Sequence, residues 1–209
     1  MRVFITLVLV ALTPTLAAAD RGLVIGASLS GFEPEYQSTY GGKLQRLSER
    51  LGGSSLPHQS VPGFGTHLGY RPTSSLEVQA RYRQWSSGVM TDFGPASALD
   101  FSYQRHVQSC AAVGRLLFGD GLLRFHVGGG PAVYRVNTVT SGWIGESATH
   151  NSAVGGLIDL ALAIRIPEIG EFELGGTSEF FSLPHSDVFI QDAGPAGGTQ
   201  VYAGLTLYL

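Results

Sequence analysis

Apolar and polar residues alternate with a period of two along most of the chain after residue 20. In the final stretch, QVYAGLTLYL, every second residue from Val201 to Leu209 is apolar. Successive side chains of a β-strand point to opposite faces, so this period predicts strands with one apolar face. Eight segments carry the pattern, and they predict strands at about residues 22–32, 61–71, 75–86, 101–117, 122–136, 151–166, 172–183 and 198–209.

The connections between these predicted strands alternate between short and long. Three are tight turns with the sequences PTS, FGDG and PEIGE, and four are long and polar, at residues 33–60, 87–100, 137–150 and 184–197. Short turns on one rim and long loops on the other are typical of transmembrane β-barrels. The sequence therefore predicts an all-β fold, an eight-stranded antiparallel up-and-down transmembrane β-barrel with an interior filled by side chains.

The first residues predict secretion. Arg2 precedes an apolar run at residues 3–12 and small residues that end at Ala19, which is the pattern of a secretory signal peptide. We expect a signal peptide at residues 1–19 and one barrel domain at residues 20–209. Because Cys110 is the only cysteine, an internal disulfide and a cysteine-based metal cluster are excluded. The net charge of −3 gives no sign of the basic face that a nucleic-acid partner requires.

One face of the predicted strands carries charges of both signs together with many glycines, which leave room for long side chains. An arginine or lysine that faces lipid at the membrane midplane costs roughly 2–4 kcal/mol, so this face is predicted to point into the barrel. Its charged residues and its central histidine are Glu77, Arg81, Arg83, Arg124, His126, Asp159, Arg165, Glu173 and Glu179.

The predicted strand at residues 101–117 fits this rule poorly. Arg105 and Arg115 share a face with Val107 and Val113, which the rule assigns to lipid. Both arginines lie near strand ends, where the cost falls to about 0–1 kcal/mol, so we expect them to reach the membrane surface. A bulge or a shifted register is the alternative. Cys110 is then predicted to be a small buried residue on the inward face.

Three consecutive glycines and Pro131 interrupt the predicted strand at residues 122–136. A phosphate-binding loop would lead into a helix, whereas strand alternation resumes here after the proline. The stretch is therefore predicted to be barrel wall. Because proline cannot donate a hydrogen bond to a neighbouring strand, we expect a bulge or bend at residues 129–131.

Other residues carry weaker signals. The leucines of residues 43–51 recur at helical spacing, which predicts a short amphipathic helix that caps its own loop or rests on the membrane surface. His67 and His126 are expected in the interior polar network. Trp85 and Trp143 lie near loop ends and are expected at the membrane interface.

The ending YAGLTLYL and the turn with its glycine-rich strand, GDGLLRFHVGGGPAVY, give the chain a family resemblance over residues 22–209. It resembles the small outer-membrane β-barrel proteins of Gram-negative bacteria, which include outer-membrane protein A-like and opacity-adhesin-type barrels. The resemblance implies a location in the bacterial outer membrane, contact with its lipid and lipopolysaccharide, and tight turns in the periplasm. It also implies that barrel-assembly machinery recognises the C-terminal strand through Gly204, Leu207 and Leu209.

The motif PHSD, with His185, Ser186 and Asp187, lies in the fourth long loop. Adjacent residues of an extended segment point to opposite sides, so these three are not expected to act together as nucleophile and base. The scattered histidines lack metal-ligand spacing. We therefore assign no catalytic, cofactor-binding or metal-binding residue.

The predicted function is that of a non-enzymatic, integral outer-membrane protein with a structural or surface-interaction role. Its four long extracellular loops would carry that role by binding a surface partner. One alternative is an outer-membrane hydrolase that modifies lipid A. The other is a secreted lipocalin-like carrier of small apolar ligands, since such a carrier shows the same alternation.

Overall fold

A computed structural model of the protein describes residues 21–34, 50, 54–56, 61–92, 101–142, 145–183 and 194–209. Within these ranges no helix is long and apolar enough to cross a membrane. The predicted signal peptide lies outside them. The strands are β1 (Gly22–Pro34), β2 (Ser54–Leu56), β3 (Val61–Thr73), β4 (Leu76–Asp92), β5 (Phe101–Phe118), β6 (Leu123–Gly142), β7 (Gly145–Ile166), β8 (Gly170–Leu183) and β9 (Gly194–Tyr208).

Eight of these strands close into a barrel. The hydrogen-bonded order is β4, β3, β1, β9, β8, β7, β6 and β5, and the pairing of β5 with β4 closes the ring. Every neighbouring pair is antiparallel. Closure leaves the barrel without the free edges of an open sheet. The predicted fold and all eight predicted strands are confirmed.

The strands extend further than the alternation indicates. β6 and β7 stay paired as far as Gly142 and Gly145, so the long loop predicted at residues 137–150 is wrong. Near this tip both faces of β7 are exposed, as at Glu146 and Ser147. Where neither face is buried, no apolar period is required, although the backbone ladder continues.

One further strand was not predicted. β2 lies in the first long connection and pairs with residues 90–92 of β4. It extends the sheet beyond the barrel ring at the end opposite the tight turns. Of the helix predicted at residues 43–51, only Arg50 is among the described residues.

Prolines are accommodated in two different ways. β3 contains Pro62 and Pro72, and its register with β4 shifts near each of them, which is the bulge that a strand proline favours. At Pro131 the predicted bulge is wrong, because the register of β6 with both neighbours is the same on either side. Instead, the ladder with β5 omits the pairs of Gly130 and Pro131, since proline has no amide hydrogen to donate. The prediction that this stretch is barrel wall is confirmed.

The outer face of the barrel carries a continuous band of exposed apolar side chains, which we call the apolar belt. On β7 the outward residues from Ile164 to Val154 are apolar or glycine, and the next outward residue is Ser152. Ten residues rise about 33 Å, and a tilt of about 40° reduces this to about 25 Å along the barrel axis, the height typical of transmembrane barrels. One belt residue from each barrel strand, in chain order, is Leu23, Leu68, Val78, Leu116, Phe125, Leu162, Leu174 and Val201.

Candidate functional site

Charged side chains fill the part of the barrel interior nearer the tight turns. Five of the arginines form ion pairs with five carboxylates. Pairing matters because a buried charge without a partner is strongly destabilising. We call this set the ionic layer; its members, each at most 6% exposed, are Arg71, Arg81, Arg83, Arg115, Arg124, Glu77, Asp159, Glu171, Glu173 and Glu179.

Arg115, on β5, lies at the centre of the ionic layer. Its Nε donates to Asp159 Oδ2 at 2.8 Å, and its Nη2 donates to Glu173 Oε2 at 2.9 Å. The same Nη2 donates to the Tyr202 hydroxyl at 2.8 Å. One guanidinium therefore connects β5 with β7, β8 and β9 through the interior of the barrel.

Asp159, on β7, is the anion with the most partners. Its Oδ1 accepts from Arg81 Nη1 at 2.9 Å and from the hydroxyls of Thr177 and Tyr202 at 2.8 and 3.2 Å. Arg115 binds the other oxygen. Because both carboxylate oxygens have donors, this carboxylate can remain ionised although it is fully buried.

Glu171 organises the ionic layer next to the tight turns. Arg71 Nη2 lies 2.5 Å from its Oε2, and Arg124 Nη1 lies 3.2 Å from its Oε1. The Tyr208 hydroxyl also donates to Oε1, at 2.8 Å. Arg71 forms a second ion pair with Glu77. This end of the interior therefore draws side chains from β3, β4, β6, β8 and β9.

Glycines on the inward face leave the space that these long side chains occupy. A Cβ atom on Gly128 would lie 2.6 Å from Cγ of Arg115 and 2.8 Å from the carbonyl oxygen of Gly114. A Cβ atom on Gly175 would lie 2.7 Å from Cζ of Tyr202. A larger residue at either position would collide with these interior side chains, as the glycine pattern predicted.

Both histidines expected in the interior lie there. His126 is fully buried, and His67 lines a cavity of about 10 Å³, where its Nε2 is 3.3 Å from the Thr206 hydroxyl. That volume accommodates about one water molecule.

His126 lies between two carboxylates and belongs to a group that could reach a metal ion. Its Nε2 is 3.7 Å from Glu171 Oε2 and its Nδ1 is 3.8 Å from Glu173 Oε1, and one ligand atom from each residue lies within 4.8 Å of the others. Both carboxylates, however, already pair with arginines. A divalent cation would have to compete with these arginines for the two carboxylates, so the arrangement favours ion pairs over metal ligation.

On the side away from the tight turns, the interior becomes apolar. The rings of Tyr134 and Phe181 stack with centroids 4.1 Å apart, and Trp85 Nε1 donates to Glu179 Oε2 at 3.4 Å where the two regions meet. The prediction that Trp85 lies at the membrane interface is wrong, because its side chain points inward and is 2% exposed. We call this region the apolar layer; it contains Trp85, Val107, Ala111, Val113, Ala132, Tyr134, Val136, Ala153, Leu157, Phe181 and Leu183.

On β5 the two faces are the reverse of those predicted. Arg105, Val107, Val113 and Arg115 are each at most 2% exposed, so the face assigned to lipid points into the barrel. Cys110, predicted to be buried, is exposed on the outside. The reason is that β5 contributes apolar side chains to the apolar layer and Arg115 to the ionic layer. On such a strand, apolar residues do not identify the outer face.

The motif residues His185, Ser186 and Asp187 lie outside the described residues, and so does Trp143. Their predicted positions remain predictions.

The chain resembles known proteins in its fold and not in its sequence. No protein-family model matches it, and no curated protein matches its sequence. Among solved structures it is similar to the outer membrane protein OprG from Pseudomonas aeruginosa, with a TM-score of 0.55 and 9% identity over 92% of this chain and 99% of that one. It is also similar to Neisserial surface protein A, with a TM-score of 0.52 and 13% identity over 90% and 97% of the two chains. The chain is an eight-stranded antiparallel β-barrel with the fold of small bacterial outer-membrane proteins.

Proposed function

We propose that this protein is an integral, non-enzymatic protein of the bacterial outer membrane, whose closed barrel supports extended strands at the cell surface. The observation that carries the proposal is the combination of an apolar belt outside with an ionic layer inside. On β7 the belt is about 25 Å high, which matches the hydrocarbon region of a membrane. A carrier of apolar ligands would require the reverse arrangement, with an apolar cavity inside and polar residues outside.

The packing of the interior supports a structural or surface-interaction role rather than transport. The ionic layer and the apolar layer follow each other along the barrel axis, and their side chains are almost completely buried. Barrels of eight strands have an interior just wide enough for side chains. We therefore expect the folded protein to conduct no ions.

The end opposite the tight turns supplies the proposed interaction surface. Among the described residues, β8 pairs with β7 only as far as Gly155, whereas the pairing of β7 with β6 continues to Gly145. The eight residues of β7 from Gly145 to Ser152 are mostly polar and none of them is buried, which corresponds to about 26 Å of strand. This hairpin and its neighbours would present backbone and polar side chains to a surface partner.

Membrane location also implies partners during and after assembly. We infer that the apolar belt contacts outer-membrane lipid and lipopolysaccharide. We also infer that barrel-assembly machinery recognises β9. This strand pairs with β8 on one side and with β1 on the other, so it takes its place in the ring only when β1 is already present or joins with it.

Fractionation and heat-modifiable gel migration test the location. We expect recovery in the outer-membrane fraction and a folded form that migrates differently from the boiled form. Recovery as a soluble periplasmic protein would overturn the proposal.

Planar-bilayer recordings test the closed interior. We expect no stepwise conductance from the purified barrel, in contrast to a porin measured in the same bilayer. Regular conductance steps from the unmodified protein would contradict a packed interior, while leaving the membrane location intact.

A further inference from the structure

Arg135, on β6, lies at the upper border of the apolar belt. The outward residues of β6 are apolar, glycine or proline as far as Val133, and Arg135 is the next outward residue. Arg135 is exposed, and its guanidinium has no hydrogen bond or ion pair with the described part of the chain. Among the outward-facing strand side chains whose burial is described, only Glu146 also carries a formal charge. Within the described part of the outer surface, a positive charge at this depth is therefore exceptional.

Two imidazole rings lie one residue pair beyond Arg135. His106 on β5 and His150 on β7 are both cross-strand partners of Asn137, the outward residue that follows Arg135. The Ser86 hydroxyl lies 2.7 Å from His106 Nδ1, and Asn137 Oδ1 lies 2.8 Å from His150 Nδ1. Both hydrogen bonds occupy Nδ1. Each ring is thereby oriented, and its Nε2 remains available to a ligand.

The spacing of these three residues suits one small anionic group. Cross-strand partners lie about 5 Å apart and successive outward residues of one strand about 7 Å apart. The Cα atoms of Arg135, His106 and His150 are therefore separated by about 8–10 Å, a distance that long side chains can span. Glu146 lies four residues further along β7 than His150, roughly 13 Å away, so it does not neutralise the group.

We propose that Arg135, His106 and His150 bind the phosphate of an anionic, phosphomonoester-bearing lipid headgroup in the leaflet at the hairpin end of the barrel. A guanidinium binds phosphate through two parallel hydrogen bonds. When Ser86 donates to Nδ1 of His106, the proton of the neutral ring lies on Nε2 and supplies a further donor. His150 donates its Nδ1 proton to Asn137 Oδ1, so Nε2 of its neutral ring accepts a hydrogen bond from the hydroxyl of a singly protonated phosphomonoester. The site rests on the membrane location proposed above, which places it at headgroup depth with Val133 and Val154 of the belt directly below.

Native mass spectrometry of the refolded, full-length barrel in detergent tests this site. The barrel is titrated with bis-phosphorylated lipid A and, in parallel, with the same lipid after its phosphates have been removed. We expect lipid A to bind more tightly than the dephosphorylated lipid, and Arg135→Gln to weaken lipid A binding by about tenfold. Arg135→Lys should restore part of the binding, because it keeps the charge without the planar fork.

The matched control is Arg21→Gln, which removes an exposed arginine at the opposite end of the barrel and should leave lipid A binding unchanged. Equal binding of lipid A by Arg135→Gln and the unmodified protein would overturn the proposal. Displacement of lipid A by inorganic phosphate alone would also overturn it, since the site would then not be a lipid site. Gel migration of every variant reports barrel formation separately, so failure of the lipid site is distinguishable from failure of the membrane barrel.

Discussion

Replacement of Arg115 by methionine tests the ionic layer directly. Methionine retains much of the aliphatic stem but removes the guanidinium that binds Asp159 and Glu173. Removing one partner of a buried ion pair costs about 3–5 kcal/mol, because the other charge stays buried without compensation. Two carboxylates lose a partner here, but Asp159 keeps Arg81 at 2.9 Å. We therefore expect the free energy of unfolding to fall by about 3–5 kcal/mol rather than by twice that amount.

Urea unfolding in detergent micelles, followed by tryptophan fluorescence and gel migration, measures this loss. The matched control is Arg135→Met, the same chemical change at an exposed arginine, which should alter the free energy of unfolding by less than about 0.5 kcal/mol. An Arg115 side chain that reached the membrane surface would contribute only about 0–1 kcal/mol. Equal, small losses in the two variants would therefore refute the interior position of Arg115 and the ionic layer built around it.

A double variant separates charge from packing. Adding Glu173→Gln to Arg115→Met neutralises the carboxylate whose arginine has been removed, whereas Asp159 still keeps Arg81. Part of the lost stability should return, because the remaining amide is neutral. If nothing is recovered, the loss in Arg115→Met comes from packing and the electrostatic explanation fails.

Further predictions follow from the inward glycines, the apolar layer and the outer face. Gly128→Ala should lower the free energy of unfolding by about 1–3 kcal/mol through overpacking. Gly31→Ala is the control and should be neutral, because nothing lies within 4 Å of the added Cβ. Equal effects of the two variants in urea unfolding would contradict the close packing at Gly128. Tyr134→Ala should cost about 3–5 kcal/mol through loss of its packing against Phe181, and a near-zero change would show that the apolar layer is loose. Cys110 should react in vesicles with a membrane-soluble maleimide and resist a charged aqueous reagent, and the reverse result would place this thiol away from lipid.

The local alternation was sufficient to predict which segments form strands and, on most strands, which side chains point outward. Along β7, Leu160 and Leu162 are exposed while Asp159 and Ala163 are buried, as the sequence predicts. This succeeds because the two-residue period is a property of each strand alone. The same reasoning fails at the hairpin tip around Glu146, where neither face is buried and the period carries no information.

On β5, the local sequence is not sufficient to predict which face points into the barrel. Val107 and Val113 look like belt residues in the sequence, but both are fully buried in the apolar layer. The rule that apolar residues face lipid assumes a uniformly polar interior. This interior is divided into an ionic layer and an apolar layer, and that division is visible only when all eight strands are assembled.

The sequence by itself determined that the chain forms eight antiparallel strands around a charged interior, because alternation, turn lengths and the cost of charge in lipid are local quantities. The tertiary structure decided which charges meet. Arg115 and Asp159 are 44 residues apart, and nothing in their local sequences indicates a pairing. Ring closure sets the register of every strand, and the register places each arginine opposite its carboxylates. The same register brings Arg135, His106 and His150 from three strands to one place on the outer surface.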